Sequence, residues 1–381
     1  MFTKIEPMRQ HVRFTQRCRP KIKTTVFSFI LKNKSVVMMF VGNDKIILPP
    51  LKSFARQLLM ELDGKLTVEE IAFQLQEDNN EIDVETVLDM VNQFDRKLLL
   101  ENTSLTSLSD LPEYDRKRYS RQLLYFGGLQ QNGMEYSLLQ QDKIKNCHVL
   151  LLGAGGFGCH IFDQLISCGF GKITVVDFDT VELSNLNRQS MYGHNDIGRP
   201  KLEVLQEQAL RQNPTIEYRF INQKINGVSD CIEIMEGCNF VINCADTPRE
   251  KIFSWINKAS YKTSVPVLFG LGAQKNGITI GPLVVPGSTI CFECSMPPEG
   301  TISFDDPLVE KINKQHQHGI IVPYIMMATG LMINETLKHV TDFAPCMLYN
   351  RRIFLNLFNY EKTEESFAPR QGCPFCMGVG E

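Results

Sequence analysis

The stretch VLLLGAGGFGCHIFDQLISCGFGKITVVDFD, Val149 to Asp179, decides the fold. Val149 to Leu152 is an apolar run suited to a buried parallel strand, and it ends abruptly in Gly153-Ala154-Gly155-Gly156-Phe157-Gly158. Gly153 permits a tight turn, Gly155 lets phosphate approach the backbone, and Gly158 lets the next helix pack close to the sheet. With Gly156, these are the candidate nucleotide-binding glycines. The helix runs to Cys168 and stops at Gly169, and a second strand, Ile173 to Val176, delivers Asp177, nineteen residues after Gly158. An acid there takes both ribose hydroxyls. The unit alone leaves NAD, FAD, SAM and ATP open as ligands. A packing turn without a ligand fits poorly with four glycines and an acid in register.

The residues after Asp177, FDTVELSNLNRQSMYGHNDIGRPKLEVL, narrow the choice. A dehydrogenase needs only the acid, whereas this stretch adds Asn185, Arg188, Gln189 and Lys201. Arg188 can fork two phosphate oxygens and Lys201 can supply a point charge to another. An apolar strand, Phe240 to Asn243, then ends in Cys244-Ala245-Asp246-Thr247. An aspartate just past a strand's carboxyl end lies where open α/β sheets bind ligands, and it can hold Mg²⁺.

RYSRQ at Arg118 to Gln122, GAGGFG, DFDTVELSNLNRQ at Asp177 to Gln189, GRPK at Gly198 to Lys201 and CAD at Cys244 to Asp246 stand in one order. On these blocks the region from Arg118 to Cys376 strongly resembles the E1-like (ThiF/MoeB-type) adenylating enzymes. That family includes the ubiquitin-type activating enzymes and the bacterial sulfur-carrier activators. The resemblance implies a Rossmann-like α/β domain with a mixed sheet and helices on both faces. It also implies ribose at Asp177, the phosphates of ATP at Asn185, Arg188 and Lys201, and Mg²⁺ at Asp246. Arg121 would reach the γ-phosphate in the partner subunit, so a homodimer is implied. Thr247 stands where the family often has asparagine.

Composition sets outer bounds. With 381 residues, 43% hydrophobic and 22% charged, the chain is an ordinary globular one of two or three domains. Its net charge of −3 gives no case for nucleic acid. The segment Met1 to Lys23 is locally basic and reads as a solvated arm. Lys32 and Lys34 interrupt the first hydrophobic stretch, so no signal peptide is expected. No run is long enough for a membrane span. A cytoplasmic location follows, in which twelve cysteines favour buried thiols or metal ligands over disulfides.

Before the nucleotide unit the pattern is different. Thr25 to Leu31, Ser35 to Val41 and Lys45 to Leu48 read as three short strands, followed by helices over Leu51 to Leu62, from Thr67, and over Val84 to Leu98. Thr67 and Glu70 have capping-box spacing. This is a small α+β module of winged-helix type, and Asp63 to Ala72 (DGKLTVEEIA) makes it similar to the PqqD-like peptide clamps that hold leader segments of ribosomal precursor peptides. Packing or dimerisation is the competing role. Glu101 to Pro112 reads as a linker, which divides the chain into a clamp domain, 1–105, and an adenylation domain, 106–381.

Cys291-Phe-Glu-Cys294 and Cys373-Pro-Phe-Cys376 are two CxxC knuckles, a donor set for closed tetrahedral Zn²⁺ that would tie the tail to the core. Between them, Ser295 to His318 is expected to cross the active site. It holds no cysteine, which disfavours transfer through an enzyme thioester. His316 and His318 read as solvated loop residues. Gly319 to His339 reads as a mostly buried helix, with Met326, Met327, Leu331, Met332 and Leu337 as core or dimer packing. Ile353 to Phe358 reads as a final strand leading through a polar turn to the second knuckle.

A peptide clamp joined to an adenylating domain without the thioester cysteine most closely resembles the enzymes that mature microcin C7 and pantocin A. That resemblance implies ATP-dependent activation of a carboxyl or carboxamide group on a ribosomal peptide. Activation of a sulfur carrier ending in Gly-Gly, and a non-catalytic peptide scaffold, are the alternatives.

Overall fold

Strand pairing in the nucleotide-binding region follows from which strands are apolar on both faces. The computed structural model describes residues 14–31, 36–41, 44–48, 53–78, 82–104, 111–130, 133–248, 251–274, 276–297, 306–313 and 319–376. The chain divides into two compact units, Met1–Asp142 and Lys143–Glu381. The boundary expected at residue 105 falls inside the first of them.

The first unit holds β1 (Pro20–Ile22), β2 (Phe27–Leu31), β3 (Val36–Val41), β4 (Asp44–Leu48), α1 (Ser53–Glu61), α2 (Val68–Asp78), α3 (Val84–Arg96) and β5 (Leu100–Asn102). It continues with α4 (Glu113–Arg118), α5 (Ser120–Gly128) and most of α6 (Gly133–Lys145). β2, β3 and β4 form an antiparallel meander. Its inward residues Met39, Ile46 and Leu48 pack with Leu58, Ile71, Val87 and Val91 of the three helices into one core. The capping box at α2 is formed: the Thr67 N–H donates to Glu70 Oε2 at 2.7 Å and the Glu70 N–H to Thr67 Oγ1 at 3.2 Å.

Two expectations fail here. Glu101 and Asn102, read as the start of a linker, belong to β5, which pairs antiparallel with β1. Lys23, read as part of a solvated arm, is buried, and its Nζ donates to the carbonyls of Gly127 at 3.0 Å and Gln130 at 2.5 Å. A cation at the carboxyl end of α5 meets the negative end of that helix, which local charge counting does not reveal.

The second unit is built on one eight-stranded sheet. Its strands are β6 (His148–Leu152), β7 (Lys172–Asp177), β8 (Glu217–Asn222), β9 (Phe240–Asn243), β10 (Val267–Gln274), β11 (Gly277–Val284), β12 (Arg351–Asn356) and β13 (Lys362–Ser366). The spatial order is β13-β12-β11-β10-β9-β6-β7-β8. The five strands from β10 to β8 are parallel, and the remaining three are antiparallel. The parallel order is that of a doubly wound nucleotide-binding sheet. Its helices are α7 (Gly156–Cys168), α8 (Lys201–Gln212), α9 (Val228–Met235), α10 (Ile252–Thr263), α11 (Pro307–Asn313) and α12 (Val322–Thr341). β6 and β9 are buried on both faces, which explains their unbroken apolar runs. The strand expected over Ile353 to Phe358 as the last of the chain is β12, ending at Asn356, and it is not the last, because the polar segment after it is itself a strand, β13. All five of its residues are exposed at the sheet edge, so it carries charge in place of the apolar alternation that marks a core strand.

Candidate functional site

β6 lies between β7 and β9, so successive connections leave it on opposite sides and a crevice opens at the carboxyl ends of β6 and β9. The glycine turn fills the β6 side of that crevice. Gly153 adopts φ +89°, and a Cβ there would come within 3.0 Å of the Cys244 carbonyl and the Ala245 nitrogen. The end of β9 is therefore packed directly against the turn, with Asp246 following at the exposed edge. At Gly158 a Cβ would lie 1.8 Å from the Gly153 oxygen, so α7 can start this close to β6 only with glycine there. Gly155 is the N-cap of α7. Gly156 opens the helix beneath Arg188, whose Cδ and Nε lie 3.8 Å from where its Cβ would be. Arg188 thus stands over the positive end of α7, a place whose free N–H groups and dipole suit an anion.

Asp177 at the end of β7 is fixed by the turn itself. The Ala154 N–H donates to its Oδ2 at 2.6 Å and the Asp179 N–H to its Oδ1 at 2.7 Å, leaving each oxygen a further lone pair for a hydroxyl. Lys201, the first residue of α8, is 4% exposed, and its Nζ donates to Asp179 Oδ2 at 2.9 Å. Pairing of Val181 with Arg199 and Gly198 holds the start of α8 beside the residues that follow β7. With one proton on Asp179, two Nζ donors remain for phosphate.

Asn185 is buried. Its Oδ1 accepts from the Glu182 N–H at 3.1 Å, and its carbonyl accepts from the Arg188 and Gln189 N–H groups. It shapes the turn that presents Arg188, whose Nη1 donates to the Ser184 carbonyl at 2.6 Å. Gln189 is also buried, and its Oε1 has no hydrogen-bond partner among the described residues. Asp246 is exposed, with the Thr247 hydroxyl donating to its Oδ1 at 3.3 Å. An exposed carboxylate beside a phosphate site has the chemistry for Mg²⁺, which binds through one or two carboxylates and the phosphates. Arg121 is exposed on α5, in the first unit. His316 and His318 lie outside the described residues.

Sequence reasoning missed Tyr192 and His160. The buried Tyr192 hydroxyl donates to the Ala154 carbonyl at 2.8 Å, bracing the turn from below, and burial pushes its pKa well above the ordinary phenol value. Neither residue belongs to a recognisable spacing, because each meets the site across the fold. Met326 and Met327 are exposed on α12, whereas Met332 supplies the core contact. Burial raises Cys159 to about 12, so this thiol beside the turn stays protonated and inert.

The two knuckles meet. The Sγ atoms of Cys291, Cys294, Cys373 and Cys376 all lie within 4.8 Å of one another, with Cys291 to Cys373 at 3.6 Å and Cys294 to Cys376 at 3.7 Å. Thiolates at ~2.3 Å from one tetrahedral Zn²⁺ would stand about 3.8 Å apart, whereas a disulfide needs about 2.05 Å. All twelve cysteines are free thiols, so the residues fit zinc. The Cys291 N–H donates to Cys376 Sγ at 3.1 Å and the Arg370 N–H to Cys294 Sγ at 3.3 Å.

Residues 119–375 match the model of the ThiF family. The chain belongs to the ThiF family. Among its relatives is the Saccharomyces cerevisiae protein named adenylyltransferase and sulfurtransferase UBA4, 29% identical over 262 residues, 66% of this chain and 54% of the relative. Another is the molybdopterin-synthase adenylyltransferase of Salmonella typhimurium, 28% identical over 170 residues, 45% of this chain and 64% of the relative. The ThiF-family chain spans about half the length of the UBA4 relatives it matches. Among solved structures, E. coli MccB with ATP superposes with a TM-score of 0.73 at 22% identity, covering 94% of this chain and 99% of that one. PaaA gives 0.69 at 21% identity over 90% and 98%. These likenesses establish a shared Rossmann-like fold, on which the ThiF-family chain carries the crevice described above.

Proposed function

We propose that this protein is an ATP-dependent adenylyltransferase that activates a carboxyl or carboxamide group on a ribosomally made precursor peptide, in a homodimer and in the cytoplasm. The observation that carries the reading is the convergence of the glycine turn, Asp177, Arg188 and the buried Lys201 on one crevice at the strand-order reversal. A dinucleotide site needs the turn and the acid. It has less use for the two cations, Arg188 and Lys201.

In this reading the ribose sits on Asp177 and the phosphates lie between the start of α7, Arg188 and Lys201. A substrate oxygen attacks the α-phosphorus, the new O–P bond forms, and the α–β bridging bond breaks with release of pyrophosphate. The two cations and the α7 dipole offset charge on the leaving group, and no protein nucleophile takes part. Mg²⁺ held at Asp246 would supply further charge neutralisation at the phosphates. Zinc at the four thiols would be structural, since four protein ligands leave no open position.

The functional division is a peptide-holding domain, 1–105, and an adenylating domain, 106–381. Strand addition to the meander supplies a physical means of holding a leader peptide. Support comes from the names of like-folded proteins, since one structure is of the microcin C7 biosynthetic enzyme MccB with N-formylated MccA. A second reading, activation of a sulfur-carrier protein, is favoured by the UBA4 relatives. Pyrophosphate release with candidate peptides, followed by product mass, separates them: addition of a nucleotide or loss of water on a peptide supports the first, and adenylate formed only on a Gly-Gly carrier supports the second. Asp246→Ala should abolish turnover while nucleotide binding and Tm persist. Undiminished turnover in this variant would remove Asp246 from the reaction, whereas peptide binding with no pyrophosphate release even in the wild type would leave only a scaffold role for the bound nucleotide.

A further inference from the structure

His160 lies on the second turn of α7 and is 5% exposed. Its Nε2 is 3.0 Å from the Arg188 carbonyl oxygen, an acceptor only, so Nε2 carries the proton and donates. Nδ1, on the other side of the ring, lies within hydrogen-bond reach of the Ser190 hydroxyl at 3.4 Å. One imidazole therefore bonds the Arg188 main chain on one side of Gln189 and the Ser190 side chain on the other. Its own carbonyl accepts from Gln164 Nε2 at 3.2 Å, which also donates to Thr329 Oγ1 on α12 at 3.1 Å. Where α7 begins, Ile325 of α12 comes within 3.3 Å of the Cβ position at Gly156, beside the Arg188 side chain.

The geometry points to His160 as the positioning residue for Arg188. The imidazole fixes the arginine's main chain over the phosphate-binding end of α7, and the Gln164 and Thr329 bonds brace α7 against α12. His160 touches no substrate. It acts by sparing the guanidinium the entropy of finding the phosphates, so its effect falls on the phosphate chain and leaves base and ribose contacts untouched. A buried histidine that merely fills space would influence all parts of the nucleotide site alike. The inference rests on the reading of the crevice as an ATP site.

The test compares ATP with adenosine in equilibrium binding to the full chain by calorimetry, in wild type, His160→Phe and His160→Gln. The expected result is a loss of ATP affinity of about tenfold in His160→Phe with adenosine affinity unchanged, and recovery of most of it in His160→Gln, whose amide can donate to the Arg188 carbonyl. Equal loss for both ligands, or ATP affinity unchanged in His160→Phe, would overturn the positioning role. Should His160→Phe not fold, Ser190→Ala, at an exposed position, carries the same comparison with a smaller selective loss expected for ATP. A wild-type protein that binds adenosine no less tightly than ATP would overturn the phosphate-site reading itself, and the inference with it.

Discussion

At the scale of single residues, the site is decided by contacts too short to admit alternatives. A methyl group at position 158 would overlap the Gly153 oxygen, so Gly158→Ala must push α7 away from β6 and open the turn. We expect a loss of about 2–4 kcal/mol in unfolding free energy, measured by chemical denaturation, together with loss of nucleotide binding. Lys23 is a different kind of residue-scale constraint. Burial lowers its pKa to about 8, with Asp95 and Glu101 acting in the opposite sense. Below pH 8 the lysine is charged in both folded and unfolded chains and the desolvation cost is fully felt. Between pH 8 and about 10.4 the unfolded chain binds more protons, so this group makes stability rise with pH. The difference in unfolding free energy between wild type and Lys23→Met should therefore widen in favour of wild type by roughly 2–3 kcal/mol across that window. A gap that stays constant would mean that Lys23 titrates alike in both states.

At the scale of elements, the sequence was readable wherever function and local geometry use the same residues. The apolar run before Gly153, the acid that ends β7 and the capping box at α2 each combine a periodicity with a turn signal, and each element stands where its pattern places it. β1 and β5 escaped because they are short and are defined by each other across a long stretch of chain, and β13 because it is wholly exposed and lacks apolar alternation, although its partner β12 immediately precedes it. Gly153 and Gly158 were legible from the turn signal, whereas the contacts of Tyr192 with Ala154 and of His160 with Arg188 exist only in three dimensions. The cysteine knuckles were legible as pairs, and their meeting is a tertiary fact with a consequence for the tail. Cys373→Ser, or prolonged chelation, should remove about one equivalent of zinc per chain and make the residues after β13 sensitive to protease, read by mass spectrometry. Retention of the tail's resistance in metal-free protein would show that the apolar contacts around Tyr261 and Phe375 suffice to hold it.

At the scale of the whole molecule, the proposed assembly makes a prediction that no single chain can satisfy. If Arg121 serves the ATP site of the partner subunit, Arg121→Ala and Asp246→Ala are each inactive as pure homodimers, since every site lacks one group. In a mixed dimer, the site holding Asp246 receives Arg121 from the other subunit and is complete, whereas the second site lacks both. Random exchange of subunits at equal concentrations makes half the dimers mixed, with one working site in two, so about one quarter of wild-type activity should return. Pyrophosphate release measured before and after mixing and re-equilibration checks this. Activity that stays at the level of the separate variants would place Arg121 in its own subunit's site or outside the reaction, whereas recovery near a quarter ties the homodimer directly to the chemistry.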